Sequence, residues 1–400
     1  MRLTLLAAAS TLALVPPVWA QVVDPADWEA VEAMAEGQTV FWHAWGGSTP
    51  TNDFIAWVGE RAATHGVTLN HVKLADTADA VSAVLAEKQA GRNADGAVDL
   101  IWINGANFAS MKEEGLLFGP FAEDLPNWSL VDVEGKTVTT DFTVPTEGYE
   151  SPWAMAQVVF IHDTARLEEA PGTAEELLAW STAHPGRFTY PQPPDFLGTT
   201  FLKQMLIDMA EDPSRLAEPV GEDYDEVTAG LWDLLDALQP TLWREGRAYP
   251  QTGPRQLQLM NDGEIDLAIS FSPGEASTAI ANFQLPETAR TAVLDKGTLG
   301  NASFVAIPYN SSAKEGAMIV ANILLSPEAQ ARAQDPDVLG YGTVLDMEAL
   351  SLDDRARFDS LDLGIATLTP AELGQAQPEP HPSWGERLAE DWVSRYGVAD

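Results

Sequence analysis

The chain has 400 residues, with 60 Asp and Glu against 22 Lys and Arg and no cysteine, for a formal net charge of −38 at pH 7. This charge argues against binding to nucleic acid and to anionic membrane surfaces, because both require basic patches. Without cysteine the chain can form no disulfide, carry no lipid on an N-terminal cysteine and build no thiolate metal site.

The first residues have the pattern of an export signal. Arg2 precedes an apolar run over 3–15, which Pro16 and Pro17 end before a small-residue cleavage site at Ala20. The run is too short to cross a bilayer as a helix. We therefore predict a cleaved signal peptide over 1–20, release into the periplasm, and no insertion into the membrane.

Strand-like and helix-like segments alternate through the next hundred residues. We predict strands over 39–44, 67–74 and 98–103, each followed by a helix: from Asn52, over 79–90 and from Asn107. Three such repeats imply a parallel sheet with helices on both faces. Because ligands of open parallel sheets bind at the carboxyl ends of the strands, the loops after Ala44 and Ile103 are the first candidate sites.

A turn-rich stretch over 144–153 interrupts this alternation and leads into a strand over 157–161, which indicates a crossing into a second lobe. The segment 164–290 then has its own alternation. We predict helices over 173–182 and 255–261, strands over 187–190, 265–271 and 299–308, a helix over 314–325, and an acidic helical tail from Ser351.

The first strand-end loop offers Trp45, Gly46, Gly47, Ser48 and Thr49 as ligand-binding residues. Its glycines allow backbone N–H groups to approach a ligand, and its hydroxyls add donors. An ordinary tight turn is the alternative interpretation.

The loop after the third strand offers Asn104 and Asn107, whose amides can both donate and accept. Helix capping is the alternative role for these asparagines. At the proposed crossing, Trp153 can form a wall of the cleft and Gln157 can reach inward, since binding sites favour domain interfaces. For Trp153 the alternative is the core of a lobe.

The second lobe offers Asp195, Thr199 and Thr200 before a helix, where hydroxyls and N–H groups suit an anionic or carbonyl group and Asp195 suits a cation. An Asx turn is the alternative there. Ser272 can cap a helix and contact a ligand, and Glu275 in its first turn can simply complement the helix dipole. Asn301, near the return crossing, is a weaker candidate.

Aromatic faces combined with a carboxylate favour an organic cation, for example a thiamine-like one, through cation–π attraction. Arg187, Arg244 and Arg255 leave an anionic ligand open, and a sugar would also stack on tryptophan. No catalytic signature is present, and none of the six histidines is paired at metal-ligand spacing. We therefore expect no catalytic residue, no metal and no cofactor.

Five stretches carry a resemblance to a known family. They are TVFWHAWGGSTPTNDFIAWV, AVDLIWINGANFASMKEEGLL, PTEGYESPWAMAQVVFIHD, NDGEIDLAISFSPGEAS and SFVAIPYNSSAKEGAMIVANILLSPEAQ. The chain resembles the extracellular solute-binding proteins of the maltose- and polyamine-binding superfamily, which have the type II periplasmic-binding fold, and within it the YnjB-type group. The resemblance covers about residues 36–345.

This resemblance implies two α/β lobes, each with a central mostly parallel sheet flanked by helices, joined by hinge crossings. Lobe 1 is expected over 21–147 and 296–345, lobe 2 over 148–295, and a C-terminal helical region over 346–400. It also implies a monomer that captures a small solute and docks on an ABC permease of the inner membrane with its cytosolic ATPase. The alternatives are an exported hydrolase or lyase, which a perturbed acid–base pair in the cleft would favour, and a ligand sensor for a membrane receptor.

Overall fold

The computed structural model describes residues 23–397, so the signal peptide expected over 1–20 lies outside it. The strands are β1 (Thr39–Trp45), β2 (Thr68–Leu74), β3 (Leu100–Ile103), β4 (Thr140–Asp141), β5 (Val144–Pro145), β6 (Glu150–Gln157), β7 (Val159–Asp163), β8 (Leu267–Ser270), β9 (Ala289–Ala292) and β10 (Gly300–Ala306). The α-helices are α1 (Trp28–Ala35), α2 (Thr49–Ala63), α3 (Ala78–Gln89), α4 (Ala106–Glu113), α5 (Ala174–Ala183), α6 (Phe196–Met209), α7 (Tyr224–Leu238), α8 (Gly253–Asn261), α9 (Glu275–Ala281), α10 (Lys314–Leu324), α11 (Pro327–Gln334), α12 (Leu352–Asp359), α13 (Pro370–Leu373) and α14 (Pro382–Tyr396).

The first sheet has the strand order β2-β1-β3-β10-β6. β1 pairs in parallel with β2 and β3, and β10 runs antiparallel to both β3 and β6. Four of the five strands thus share one direction, as the β–loop–α repeats predict. The interior strand β10 is buried throughout and the edge strand β2 is partly exposed, in agreement with their apolar and mixed compositions.

The crossing between the lobes is formed by β6 and β10, which pair from Gly300 opposite Gln157 to Ala306 opposite Glu150. β6 continues through Val158 directly into β7, and the Val158 N–H donates to the Leu299 carbonyl at 2.7 Å. The crossing therefore lies at Val158, about ten residues beyond the expected boundary at 147/148. The turn-rich stretch that suggested the earlier position precedes β6, whose pairing with β10 keeps it in the first sheet.

The second sheet has the order β8-β7-β9, and β7 runs antiparallel to both neighbours. The mostly parallel arrangement expected for both lobes thus describes the first sheet and not the pairings of the second, because β7 enters the second sheet as the continuation of β6. The strand predicted over 187–190 is reduced to a single parallel bridge between Phe188 and Leu267. Its carbonyls bind elsewhere: Phe188 accepts from the Trp243 N–H at 2.7 Å.

The C-terminal region divides between the two lobes. Phe358 on α12 packs into the core of the first lobe, whereas Trp384, Leu388 and Trp392 on α14 belong to the core of the second. Between them, Gln377 lies beside the crossing, since its N–H donates to the Thr298 carbonyl at 2.8 Å. The chain therefore passes between the lobes a third time. Between Val23 and Gly397, no helix is both long and apolar enough to cross a membrane.

Candidate ligand-binding site

The loop after β1 is held by its own side chains. The Trp45 indole lies over Gly47, where a Cβ would be 2.2 Å from Trp45 Cζ2, so this position requires glycine. Asn52 Nδ2 donates to the Gly46 carbonyl at 3.2 Å. Ser48 caps α2 by accepting from the Thr51 N–H at 3.3 Å. The loop is thus a helix-capping turn as well as a strand end.

Trp45 and Ser48 remain partly exposed, and Thr49, the first residue of α2, is exposed. These positions can still be reached from solvent. The indole face and the Thr49 hydroxyl are therefore accessible at this end of the sheet, whereas the Ser48 hydroxyl is engaged, since it donates to Thr51 Oγ1 at 2.8 Å.

The loop after β3 is covered by the β4–β5 hairpin. Gly105 has a φ of +58°, and a Cβ there would lie 2.7 Å from Phe142 Cε2. The Asp141 carboxylate accepts from the Gly105 N–H at 2.6 Å, directly before α4. Asn104 and Asn107 are partly exposed, and neither amide side chain is hydrogen-bonded within residues 23–397. These amides are therefore free to bind a ligand.

Two carboxyl groups are buried beneath this hairpin. Asp141 is 1% exposed and Glu150 is 0% exposed. Asp141 Oδ1 and both Glu150 carboxyl oxygens have no hydrogen-bond partner in the part of the chain that the structure describes. Burial raises the pKa of both carboxyls well above the usual range, and the nearby Glu379 charge adds to this effect on Asp141.

A buried ion pair joins α6 to the C-terminal segment next to Asp141. Lys203 Nζ on α6 lies 2.5 Å from Glu379 Oε2 in the C-terminal segment. The other carboxylate oxygen of Glu379 accepts from Asn301 Nδ2 at 2.8 Å. Lys203 Nζ also lies 4.6 Å from the centroid of the Phe142 ring, which belongs to the first lobe. Asn301 is thus positioned at the crossing to hold this pair.

The start of α6 is capped by Asp195. Its Oδ1 accepts from the N–H groups of Leu197 at 2.9 Å and Gly198 at 3.2 Å. Burial raises the pKa of Asp195 despite these bonds, and the Asp76 charge of the first lobe raises it further. Asp195 is therefore a helix cap that lies within reach of the Asp76 charge.

Of the two threonines on α6, Thr200 is buried and donates to the Phe196 carbonyl at 2.8 Å, whereas Thr199 is partly exposed. Thr200 is therefore engaged within its own helix. Thr199 alone of the two hydroxyls is open to solvent.

The loop after β8 touches the first lobe through its backbone. The Gly274 N–H donates to the Gly340 carbonyl at 3.1 Å, and Ser272 Oγ donates to the Leu339 carbonyl at 3.3 Å. Glu275 accepts a short hydrogen bond from Ser270 Oγ, and burial raises its pKa. The two lobes are therefore in direct contact at this point.

Trp153 and Gln157 are both buried. Trp153 is 1% exposed, with its ring centroid 4.9 Å from Trp102 and 5.8 Å from Phe54, and its Nε1 has no partner among the described residues. Gln157 Nε2 donates to Thr298 Oγ1 at 3.2 Å and to the Leu373 carbonyl at 3.1 Å. In this structure Trp153 thus packs in the first-lobe core, and Gln157 joins the crossing to the C-terminal segment.

Contacts between the lobes are thus formed by Phe142 of the β4–β5 hairpin with Lys203 of α6, and by the loop before α9 with Gly340. The residues that sequence reasoning missed are Asp141, Phe142, Glu150, Lys203 and Glu379. Lys203 and Glu379 are 176 residues apart in the chain, so no local pattern could pair them. Only the turn-rich stretch over 144–153, just after Asp141, indicated that this region departs from the regular alternation.

Two surface depressions lie elsewhere. One, of about 330 Å³, is lined by Glu222, Tyr224 and Arg387, and another, of about 240 Å³, by Arg61, Asn127 and Asn322. Neither includes a residue of the junction. Among residues 23–397, no group of three or more His, Cys, Asp or Glu side chains is arranged to hold a metal ion.

Comparison with known proteins places the chain in a family. The model of the bacterial extracellular solute-binding proteins matches residues 56–353. Protein YnjB of Escherichia coli K12 is 42% identical over 374 residues, which cover 93% of this chain and 94% of that protein.

Solved structures share the fold at low sequence identity. The periplasmic binding protein AfuA of Actinobacillus pleuropneumoniae, with fructose-6-phosphate bound, has a TM-score of 0.63 at 14% identity and covers 90% of this chain and 99% of its own. The spermidine/putrescine substrate-binding protein PotD of Streptococcus pneumoniae has a TM-score of 0.56 at 16% identity, covering 90% and 98%. The fold is accordingly the two-lobed type II periplasmic-binding fold, and the chain belongs to the bacterial extracellular solute-binding protein family.

Proposed function

We propose that this protein is the periplasmic substrate-binding component of an ABC importer. It captures a small polar solute between its lobes and delivers it to a membrane permease with a cytosolic ATPase. The observation that carries the proposal is the junction itself. Polar loops of both lobes meet there around a crossing made of β6, β10 and the C-terminal segment. A crossing of only a few extended segments is the kind of connection about which two lobes can rotate.

The ligand we propose is an organic cation, thiamine-like or otherwise amine-bearing. Three carboxyl groups support this class: Asp141 beside the carboxyl end of β3, Asp195 at the start of α6 and Glu275 at the start of α9. Asp195 caps α6, and Glu275 lies in the first turn of α9. An anion approaching these helix starts would meet a carboxylate of the chain, whereas a cation would be attracted.

The hydrolase alternative is not supported by these acids. Acid–base catalysis by two carboxyl groups needs environments that push their pKa values apart. Asp141 and Glu150 are both buried, and the pKa of both shifts upward. The two shifts share one direction and one main cause, burial, so they give no support to an acid–base pair. A binding role without a catalytic residue and without a cofactor agrees better with this arrangement.

A thermal-shift screen of the mature protein against charged and neutral metabolites tests the proposal. A ligand present at about a hundred times its dissociation constant should stabilise the fold by roughly 2.7 kcal/mol. We expect organic cations to produce the largest shifts. Stabilisation by phosphorylated or carboxylate compounds alone would contradict the proposed ligand class, and turnover of a stabilising compound would favour the enzyme.

A further inference from the structure

The acids Asp141 and Glu150 are buried, and most of their carboxyl oxygens have no hydrogen-bond donor among the described residues. Both are at most 1% exposed. Buried carboxyl oxygens almost always find a hydrogen-bond donor, because an unpaired one loses its hydration without compensation. Here three of the four oxygens have no partner within residues 23–397: Asp141 Oδ1 and both oxygens of Glu150.

The nearby lysines do not supply the missing donors. Lys203 is engaged by Glu379 at 2.5 Å. Lys112 Nζ lies 2.8 Å from Glu147 Oε2 and donates to the Pro145 carbonyl at 2.5 Å. The charged groups that act on the two acids are therefore Glu379 and Lys203 for Asp141, and Asp141 and Lys112 for Glu150. Because both lysines are paired with other carboxylates, neither of them neutralises Asp141 or Glu150.

The Asp141 carboxyl group lies at the junction of the two lobes. Its carboxylate binds the Gly105 N–H at the carboxyl end of β3, where ligands of such sheets bind. The neighbouring Phe142 lies between Gly105 and Lys203 of the second lobe. A group that enters between the lobes at this strand end therefore meets Asp141, and Glu150, at the start of β6, lies within reach of the Asp141 charge.

We propose that Asp141 and Glu150 are the residues that select a cationic ligand, by accepting hydrogen bonds from its positively charged N–H groups. This inference rests on the proposed function and names the determinant of its ligand class. In their ionised forms these unpartnered acceptors match a donor-rich cation, and an anion would add a further acceptor to them. The acids also link binding to protons, because a cation favours their ionised forms.

The direction of this linkage follows from the raised pKa of both carboxyls. In the free protein they retain protons above the usual carboxyl range, and a bound cation displaces these protons. Affinity for a cation therefore rises with pH, by up to about tenfold per pH unit for each proton released. Affinity for an anion would change in the opposite direction.

The test uses thiamine and putrescine as cationic probes and fructose 6-phosphate as the anionic probe, titrated calorimetrically into wild type, Asp141→Asn and Glu150→Gln at pH 5.5 and 8. We expect wild type to bind a cationic probe more tightly at pH 8. Each variant should weaken that binding by about tenfold or more, the effect of one charge-assisted hydrogen bond, and should reduce the pH dependence. Affinities within twofold of wild type in both variants, or binding of fructose 6-phosphate alone, would overturn the proposal.

Asp208→Asn is the matched control. Asp208 is 3% exposed and accepts from the Ala174 N–H at 2.8 Å, and its Oδ1 has no hydrogen-bond partner among the described residues but lies 3.9 Å from Lys296 Nζ. It lies within the second lobe. This variant should leave affinity unchanged. An equal loss of binding in Asp208→Asn would show that the effect of the other variants is structural, and would overturn the assignment.

Stability measured without ligand separates this inference from the proposed function. A carboxyl with a raised pKa stabilises the fold least at high pH, so Asp141→Asn and Glu150→Gln should gain stability relative to wild type between pH 5.5 and 8. If no compound in the screen binds, the proposed function fails. A relative gain would show that the two acids ionise with a raised pKa whether or not a ligand is found, and a relative loss at pH 8 would overturn the assignment.

Discussion

Lys203 Nζ lies 2.5 Å from Glu379 Oε2, and the two side chains are 5% and 1% exposed. This ion pair joins α6 of the second lobe to the C-terminal segment, and through Asn301 to the crossing strand β10. Removing one partner of a buried ion pair leaves the other charge uncompensated and lowers the free energy of unfolding.

Glu379→Gln should lower the free energy of unfolding by about 3–5 kcal/mol, because the buried ammonium of Lys203 loses its counter-charge. The control is Glu328→Gln, which breaks a 2.9 Å pair with Arg61 between side chains that are 39% and 47% exposed. That exposed pair should contribute about 1 kcal/mol or less. Urea denaturation of both variants measures the difference, and equal losses would contradict the structural role given to Glu379.

The C-terminal helix should be part of the second lobe. Trp392 is 0% exposed, its ring centroid is 5.0 Å from that of Tyr249, and its Nε1 donates to Tyr190 Oη at 2.9 Å. Trp392→Ala should therefore cost about 3–5 kcal/mol. Its neighbour Val393 is 46% exposed, so Val393→Ala should cost about 0.5 kcal/mol or less. A small effect of Trp392→Ala in thermal unfolding would mean that α14 is an independent appendage.

Asp195 can be tested with two variants that separate its roles. Asp195→Ala removes both hydrogen bonds to the start of α6 and should cost about 1 kcal/mol of stability. Asp195→Asn keeps an acceptor for those bonds and should preserve stability. If Asp195 also attracts a cationic ligand, Asp195→Asn should bind that ligand more weakly than wild type in calorimetry. Unchanged affinity with unchanged stability would make Asp195 a helix cap alone.

The contact between Gly274 and Gly340 should limit how closely the lobes approach. A Cβ on Gly274 would lie 2.5 Å from Gly340 Cα, so Gly274→Ala should disfavour the closed state and weaken ligand binding by about tenfold. Gly230→Ala on α7 is the control, because its Cβ would lie 3.5 Å from Cε of Met209 on α6, an ordinary contact. Affinity equal to wild type in Gly274→Ala would show that closure does not need this contact.

The sequence predicted the first sheet closely and the junction incompletely. β1, β2 and β10 each lie within about two residues of their predicted ends, because apolar and alternating patterns mark strands directly. α7 was missed, although its buried residues Leu231, Leu234, Leu235 and Leu238 follow helical spacing.

The contacts of the buried acids Asp141 and Glu379 could not be predicted from local sequence patterns. Asp141 binds Gly105 36 residues away, and Lys203 binds Glu379 at a separation of 176. Periodicity marks which face of an element is buried, but it does not tell which buried polar groups will meet. For the same reason Trp153, expected at a cleft wall, could not be distinguished in advance from a core residue beside Trp102 and Phe54.

Small-angle X-ray scattering of the mature protein, titrated with the compound that stabilises it most, tests the central claim most directly. We predict that the radius of gyration decreases as ligand is added and reaches a plateau at one ligand per chain, because the lobes close on a single solute. A radius of gyration that stays unchanged at saturating ligand would contradict a binding protein that works by lobe closure.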